Sequence, residues 1–166
     1  AGWQAVLTGE VLALGIRLKV DSDQVAIRTK DFKHGWSGTQ CEIEGPDGDY
    51  SGAITFYVWG ADGKAFADWR EGSWKTTAGV TGVRSVSRKA LRKNYGDWIL
   101  SEYVVTYQDA DWHYLEVFIG RGSRNIELAL WTRETACEDH RDAMLRVTQG
   151  LEYDRVRLCP GCRGEI

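Results

Sequence analysis

The chain has 166 residues, 43% hydrophobic and 27% charged, which excludes extensive disorder and suits one domain with a single substantial core. A net charge of −3 and an isoelectric point near 5.7 supply no general attraction for nucleic acid, so no nucleic-acid partner is expected. No apolar run reaches the roughly 20 residues that a membrane helix needs, and no signal-peptide pattern is present.

In chain order, Leu12, Leu14, Ile16, Leu18 and Val20 alternate on one face of a strand over residues 11–20, with Gly15 as a bulge or the start of a new strand. Asp21, Ser22 and Asp23 read as a turn and residues 25–29 as a second strand, so the two are expected to form a hairpin. Residues 30–50 lose periodicity and read as a long connection with a short strand at 39–43. Such connections often carry binding sites, surface padding being the plainer reading. A strand at 53–59 is followed by a short helix at 64–71 that docks Phe66 and Trp69 on one side. Residues 72–82 read as a loop and 83–87 as a short strand. Arg84, Arg88, Lys89, Arg92 and Lys93 form a basic cluster there, either a solvated face or a contact for an anionic polymer or lipid headgroup.

Three strands then succeed one another at 97–107, 112–119 and 125–132, rich in aromatic and β-branched residues. The polar turn 108–111 and the glycine-bearing turn 120–124 make both connections antiparallel hairpins. Beyond Thr132 the period changes, and His140, Met144, Val147 and Leu151 share one face of a helix over 137–151. The pattern predicts an α+β fold: an antiparallel sheet with the 137–151 helix on one face and the 64–71 helix at an edge or on the other face. Val156 and Leu158 suggest a last edge strand. No repeat or composition break divides the chain, so residues 1–158 are expected to form a single α+β domain and residues 159–166 a cysteine-bearing C-terminal tail.

Catalytic signatures are missing: there is no G-x-S-x-G elbow, phosphate-binding glycine loop or H-E-x-x-H motif, and no cofactor is expected. Eight tryptophans are many for this length. Most suit the core, and the binding candidates are Trp36, Trp59, Trp69 and Trp74 with Arg88 and Arg92. Glu102, Glu116 and Glu127 stand one per strand of the meander, where they form either a carboxylate cluster or its solvated side. His34, His113 and His140 are scattered over loop, strand and helix, where satisfied histidines are commoner than ligands. Cys41, Cys137, Cys159 and Cys162 are disulfide candidates; a zinc site and free thiols are the alternatives, and no metal is assigned.

Phe66-Ala67-Asp68-Trp69 with Arg70, then Gly96-Asp97-Trp98 leading into Tyr103-Val104-Val105-Thr106-Tyr107, residues 112–119, and residues 126–132 followed by the helix, together resemble the PsbP/Mog1-like α-β-α sandwich. Within that superfamily they are similar to extracytoplasmic domains of actinobacterial serine/threonine kinases and related lipoproteins. The N-terminal third departs from the pattern, since Gly15–Val20 runs into Asp21-Ser22-Asp23 where the family has a Pro-x-Gly-Trp turn. The resemblance implies a noncatalytic, extracytoplasmic or secreted domain for ligand binding, sensing or protein interaction. Its partner would be a protein or small molecule, with room for a membrane tether outside this stretch. A small enzyme using a carboxylate or histidine in a cleft, or a cytoplasmic location, is the alternative. Export would favour oxidised cysteines, Cys159 and Cys162 bridging each other or Cys41 and Cys137.

Overall fold

A computed structural model describes residues 16–20, 25–29, 38–93, 95–121 and 124–153. Its centre is a seven-stranded antiparallel sheet ordered β2-β3-β4-β8-β7-β6-β5. The strands are β2 (Ala26–Thr29), β3 (Gly38–Glu44), β4 (Ser51–Tyr57), β5 (Val80–Leu91), β6 (Asp97–Tyr107), β7 (Ala110–Arg121) and β8 (Arg124–Arg133). Helix α1 (Gly63–Trp74) and helix α2 (Cys137–Gln149) pack on opposite faces, as the α+β sandwich pattern predicts. A separate pair, β1 (Ile16–Leu18) with β9 (Leu151–Tyr153), ties the two ends of the described chain together.

Parity along the strands decides which residues meet which helix. Leu115, Val117 and Ile119 of β7 join Ile126, Leu128 and Leu130 of β8 in the larger core, which Met144 and Val147 of α2 close. The other face carries Phe118 and Ile99, covered by Phe66 and Ala67 of α1. Asp62 caps α1 by accepting from the Ala65 amide at 2.7 Å.

Several boundaries differ from expectation. Helix α1 runs past residue 71 through Gly72 and Ser73, weak helix formers, because the Trp74 indole is anchored at 3.0 Å to the Tyr103 hydroxyl. Strand β5 is 12 residues long where 83–87 was expected; its side chains are mostly exposed, so its order comes from backbone pairing with β6 rather than from an apolar pattern. Helix α2 stops at Gln149, which frees Leu151 to start β9. Among the described residues the expected N-terminal hairpin is not formed: β1 pairs with β9 and β2 with β3, and fully buried Leu18 joins the core under α2. The four-residue turn expected at 108–111 is a two-residue turn in which Gln108 (φ 49°) and Asp109 (φ 63°) are both left-handed, the conformation that matches hairpin twist. The expected 156–158 strand and the 159–166 tail lie outside the described residues.

The expectation of a bridge through Cys41 or Cys137 is not met, since both are buried free thiols. Burial pushes each up to about 11, Cys137 with the further help of the Glu134 and Glu102 charges. Cys159 and Cys162 lie outside the described residues.

Candidate ligand-binding groove

Beside the Phe118 and Ile99 cluster beneath α1, the same sheet face holds ionisable groups. Glu116 of β7 is fully buried and Glu127 of β8 nearly so, so for these two the reading as a solvated side does not hold and the reading as a carboxylate cluster does. Arg70 of α1 reaches down to Glu127 (Nε to Oε1, 3.5 Å), which also accepts from the Tyr57 hydroxyl at 3.2 Å. Burial opposes the charge on Arg70, and the acidic groups it faces more than restore it. Tyr103 donates to Oε1 of Glu116, whereas Oε2 finds no donor among the described residues. The Glu127 carboxyl is a charged neighbour of Glu116, and two ionised carboxylates would repel there. A proton is therefore held on Glu116, whose pKa burial, then Glu127, pushes well above the ordinary carboxyl range.

Native Glu116 keeps a proton that the unfolded chain releases above about 4.5, so this group's contribution to stability falls as pH rises from there toward its folded pKa. Glu116→Gln keeps an acceptor for Tyr103 and is neutral without that proton. The variant is expected to gain on the parent as pH rises above about 4.5, by at most about 1.4 kcal/mol per pH unit and until the folded pKa of Glu116 is reached. Urea melts across that range measure it, and a difference independent of pH would mean that Glu116 is ionised in the fold.

Where α1 ends, the same sheet face is left uncovered and the lining turns aromatic. Trp74 and Thr77 wall a groove of about 370 Å³ with Val105, Tyr107, Trp112, Tyr114 and Trp131. Register places these rings together: Tyr114 lies directly opposite both Tyr103 and Trp131 across the strands. Tyr114 stacks on Tyr103 at 5.3 Å and 5°, on Trp131 at 5.8 Å, and meets Trp74 at 5.3 Å. Desolvation pushes the Tyr114 hydroxyl up to about 12, so it stays protonated. The Arg70 guanidinium lies 4.3 Å over Trp74, and that of exposed Arg133 4.6 Å over Trp112. Stacking on both sides fixes the floor of the groove before any ligand arrives.

The residues singled out from sequence do not form one site. Trp74 is in the groove. Trp59 and Trp69, 40% and 44% exposed, meet edge to face at 5.2 Å in a separate patch with Tyr57 and Phe66. Arg88 is occupied, pairing with Asp68 at 2.5 Å and with Glu71 at 2.6 Å, and so staples β5 to α1. Ser101 completes that staple by donating to Glu71 at 2.5 Å. Arg92 is exposed near the end of β5, and Trp36 and His34 lie outside the described residues. Glu102 does not join Glu116 and Glu127; it faces α2, where it meets His113 and Arg141. His140 is partly exposed, its Nδ1 3.9 Å from Asp49. Tyr107, Trp112, Tyr114 and Trp131 were not singled out as a set, although Trp112 and Tyr114 share strand parity.

No protein-family description and no curated protein matches the chain by sequence. Among solved structures it is similar to cyanobacterial PsbP (CyanoP) from Synechocystis sp. PCC 6803, with a TM-score of 0.61 at 11% identity, over 84% of this chain and 86% of that one. A protein of unknown function from Pseudomonas aeruginosa matches at a TM-score of 0.48 and 21% identity, over 80% of this chain and 87% of that one, too loosely to add to the first. The chain thus has the PsbP-like α+β fold that its residue patterns resemble, and at this identity the likeness speaks to fold alone.

Proposed function

We propose that this chain is a noncatalytic binding or sensory domain acting outside the cytoplasm, with the groove beyond α1 as its site for a flat, largely apolar ligand bearing an anionic group. The observation that carries the reading is the lining itself, four large aromatic side chains from three strands and a fifth from α1, with no acid, thiol or imidazole among them. Such a surface offers area and ring stacking, and beyond the Tyr107 and Tyr114 hydroxyls it brings no titratable group to act as acid, base or nucleophile. Arg133, stacked on Trp112 at the rim, supplies the charge that would select an anionic end. The group an enzyme would most readily use, Glu116, is sealed beneath α1. The extracytoplasmic setting rests on the resemblance to domains of actinobacterial kinases and lipoproteins.

The aromatic sulfonate 1-anilinonaphthalene-8-sulfonate has the required chemistry and a fluorescent readout. Trp131→Ala and Trp112→Ala are each expected to weaken its binding about tenfold, a loss of about 1.4 kcal/mol, and Arg133→Gln severalfold, with circular dichroism unchanged. Trp69→Ala, in the separate patch, should bind as the parent does. Binding lost with Trp69 and kept without Trp131 would move the site away from the groove.

A further inference from the structure

On the α2 face a second group of side chains is assembled with metal-binding chemistry. His113 projects from β7, Glu134 begins the turn after β8, and Cys137 opens α2; their ligand atoms all lie within 4.8 Å of one another. His113 and Cys137 are buried, and the Glu134 side chain is 35% exposed, which leaves a way in for an ion. Behind them stands a support. Glu102 accepts both Nε and Nη2 of Arg141 at 2.8 Å and contacts Nε2 of His113 at 2.5 Å. Nδ1 of His113 is thereby turned toward Glu134, 2.6 Å from its Oε2.

We propose that His113, Glu134 and Cys137 form a zinc site, with His113 binding through Nδ1 and Glu102 orienting the imidazole through Nε2. Imidazole, carboxylate and thiolate are the donors that zinc takes, and a carboxylate behind the histidine is the usual second layer of such sites. A tetrahedral zinc holds its donors roughly 3–4 Å apart, so small side-chain rotations close the set and leave a fourth position to water. The Nδ1–Oε2 contact needs a proton on one partner, and the ion takes its place. A second proton leaves the Cys137 thiol, and both go to solvent. Arg84, 3.7 Å from Glu134, is 66% exposed and free to swing aside.

The test uses the full chain, stripped with a chelator under reductant and dialysed against zinc sulfate. One zinc per chain is expected at this site, and cobalt in its place should show intense tetrahedral bands with a thiolate charge-transfer band. Cys137→Ser and Glu134→Gln should each lower affinity at least tenfold and Cys137→Ser should abolish the thiolate band; Glu102→Gln should cost about 10–100-fold. Glu134 is exposed enough that its variant will fold even if the cysteine variant does not. A Cys159→Ser/Cys162→Ser double variant should keep both zinc and band. No zinc on the parent chain, zinc unchanged by Glu134→Gln, or a site lost with Cys159 and Cys162 would overturn the proposal.

Discussion

Arg70→Leu is expected to destabilise the fold by about 3–5 kcal/mol, the cost of removing one partner from a buried ion pair. Its side chain is 21% exposed and that of Glu127 only 5%, so little water is at hand to replace the guanidinium. Without it, the Tyr57 hydroxyl is the one hydrogen-bond donor left to Glu127 among the described residues, and Glu116 loses the cation that offsets a neighbouring carboxylate. Trp74 would lose the cation over its ring as well. Lysine at this position should recover little, because it cannot stack on Trp74 while reaching Glu127. Adding Glu127→Gln to Arg70→Leu removes the stranded charge and should restore part of the loss. Urea melts of the two single variants and the double variant measure this coupling, and strict additivity would show that the pair contributes nothing beyond its separate members.

Gly120→Ala is expected to cost about 3 kcal/mol, for a steric reason. A Cβ at Gly120 would sit 2.6 Å from Ala61 O, Asp62 C and Gly63 N, all backbone atoms that cannot step aside singly. Those atoms form the entry to α1, held to the sheet by Asn125, which accepts from the Ala61 amide at 3.1 Å, and by Asp97, which accepts from the Gly63 amide at 2.9 Å. The added methyl should lift the start of α1 from β7 and speed hydrogen exchange in the first turn of that helix ahead of β6 and β7. A loss below about 0.5 kcal/mol would show that the α1 entry yields without strain.

The meander was legible because its strands carry β-branched and aromatic residues between polar or glycine-bearing turns, and α2 because Met144 and Val147 fall on one helical stripe. The facing of the acids was partly legible. A turn at 108–111 would pair Tyr107 with Trp112, and the observed two-residue turn pairs Tyr107 with Ala110. Either register sets even-numbered residues of β6 against odd-numbered ones of β7, so Glu102 faces away from Glu116 in both. The second hairpin is different. An expected turn at 120–124 would set Ile119 against Asn125, whereas Ile119 pairs with Ile126, and that single step brings Glu127 onto the Glu116 face. The groove was hidden for a related reason: it exists because α1 ends at Trp74, short of Trp112 and Trp131, and that end depends on a tertiary hydrogen bond to Tyr103. The Glu134 and Cys137 pair lies within one local turn, but no local pattern connects it to His113 on β7.

The central claim, that the aromatic groove is the ligand site, is tested most directly by following the tryptophan indole N–H signals in nitrogen-15 correlation spectra during titration with 1-anilinonaphthalene-8-sulfonate. The signals of Trp74, Trp112 and Trp131 are predicted to shift together along one saturating curve, while buried Trp98 and the exposed pair Trp59 and Trp69 stay in place. Shifts confined to Trp59 and Trp69, with the groove signals unmoved at saturation, would contradict the account.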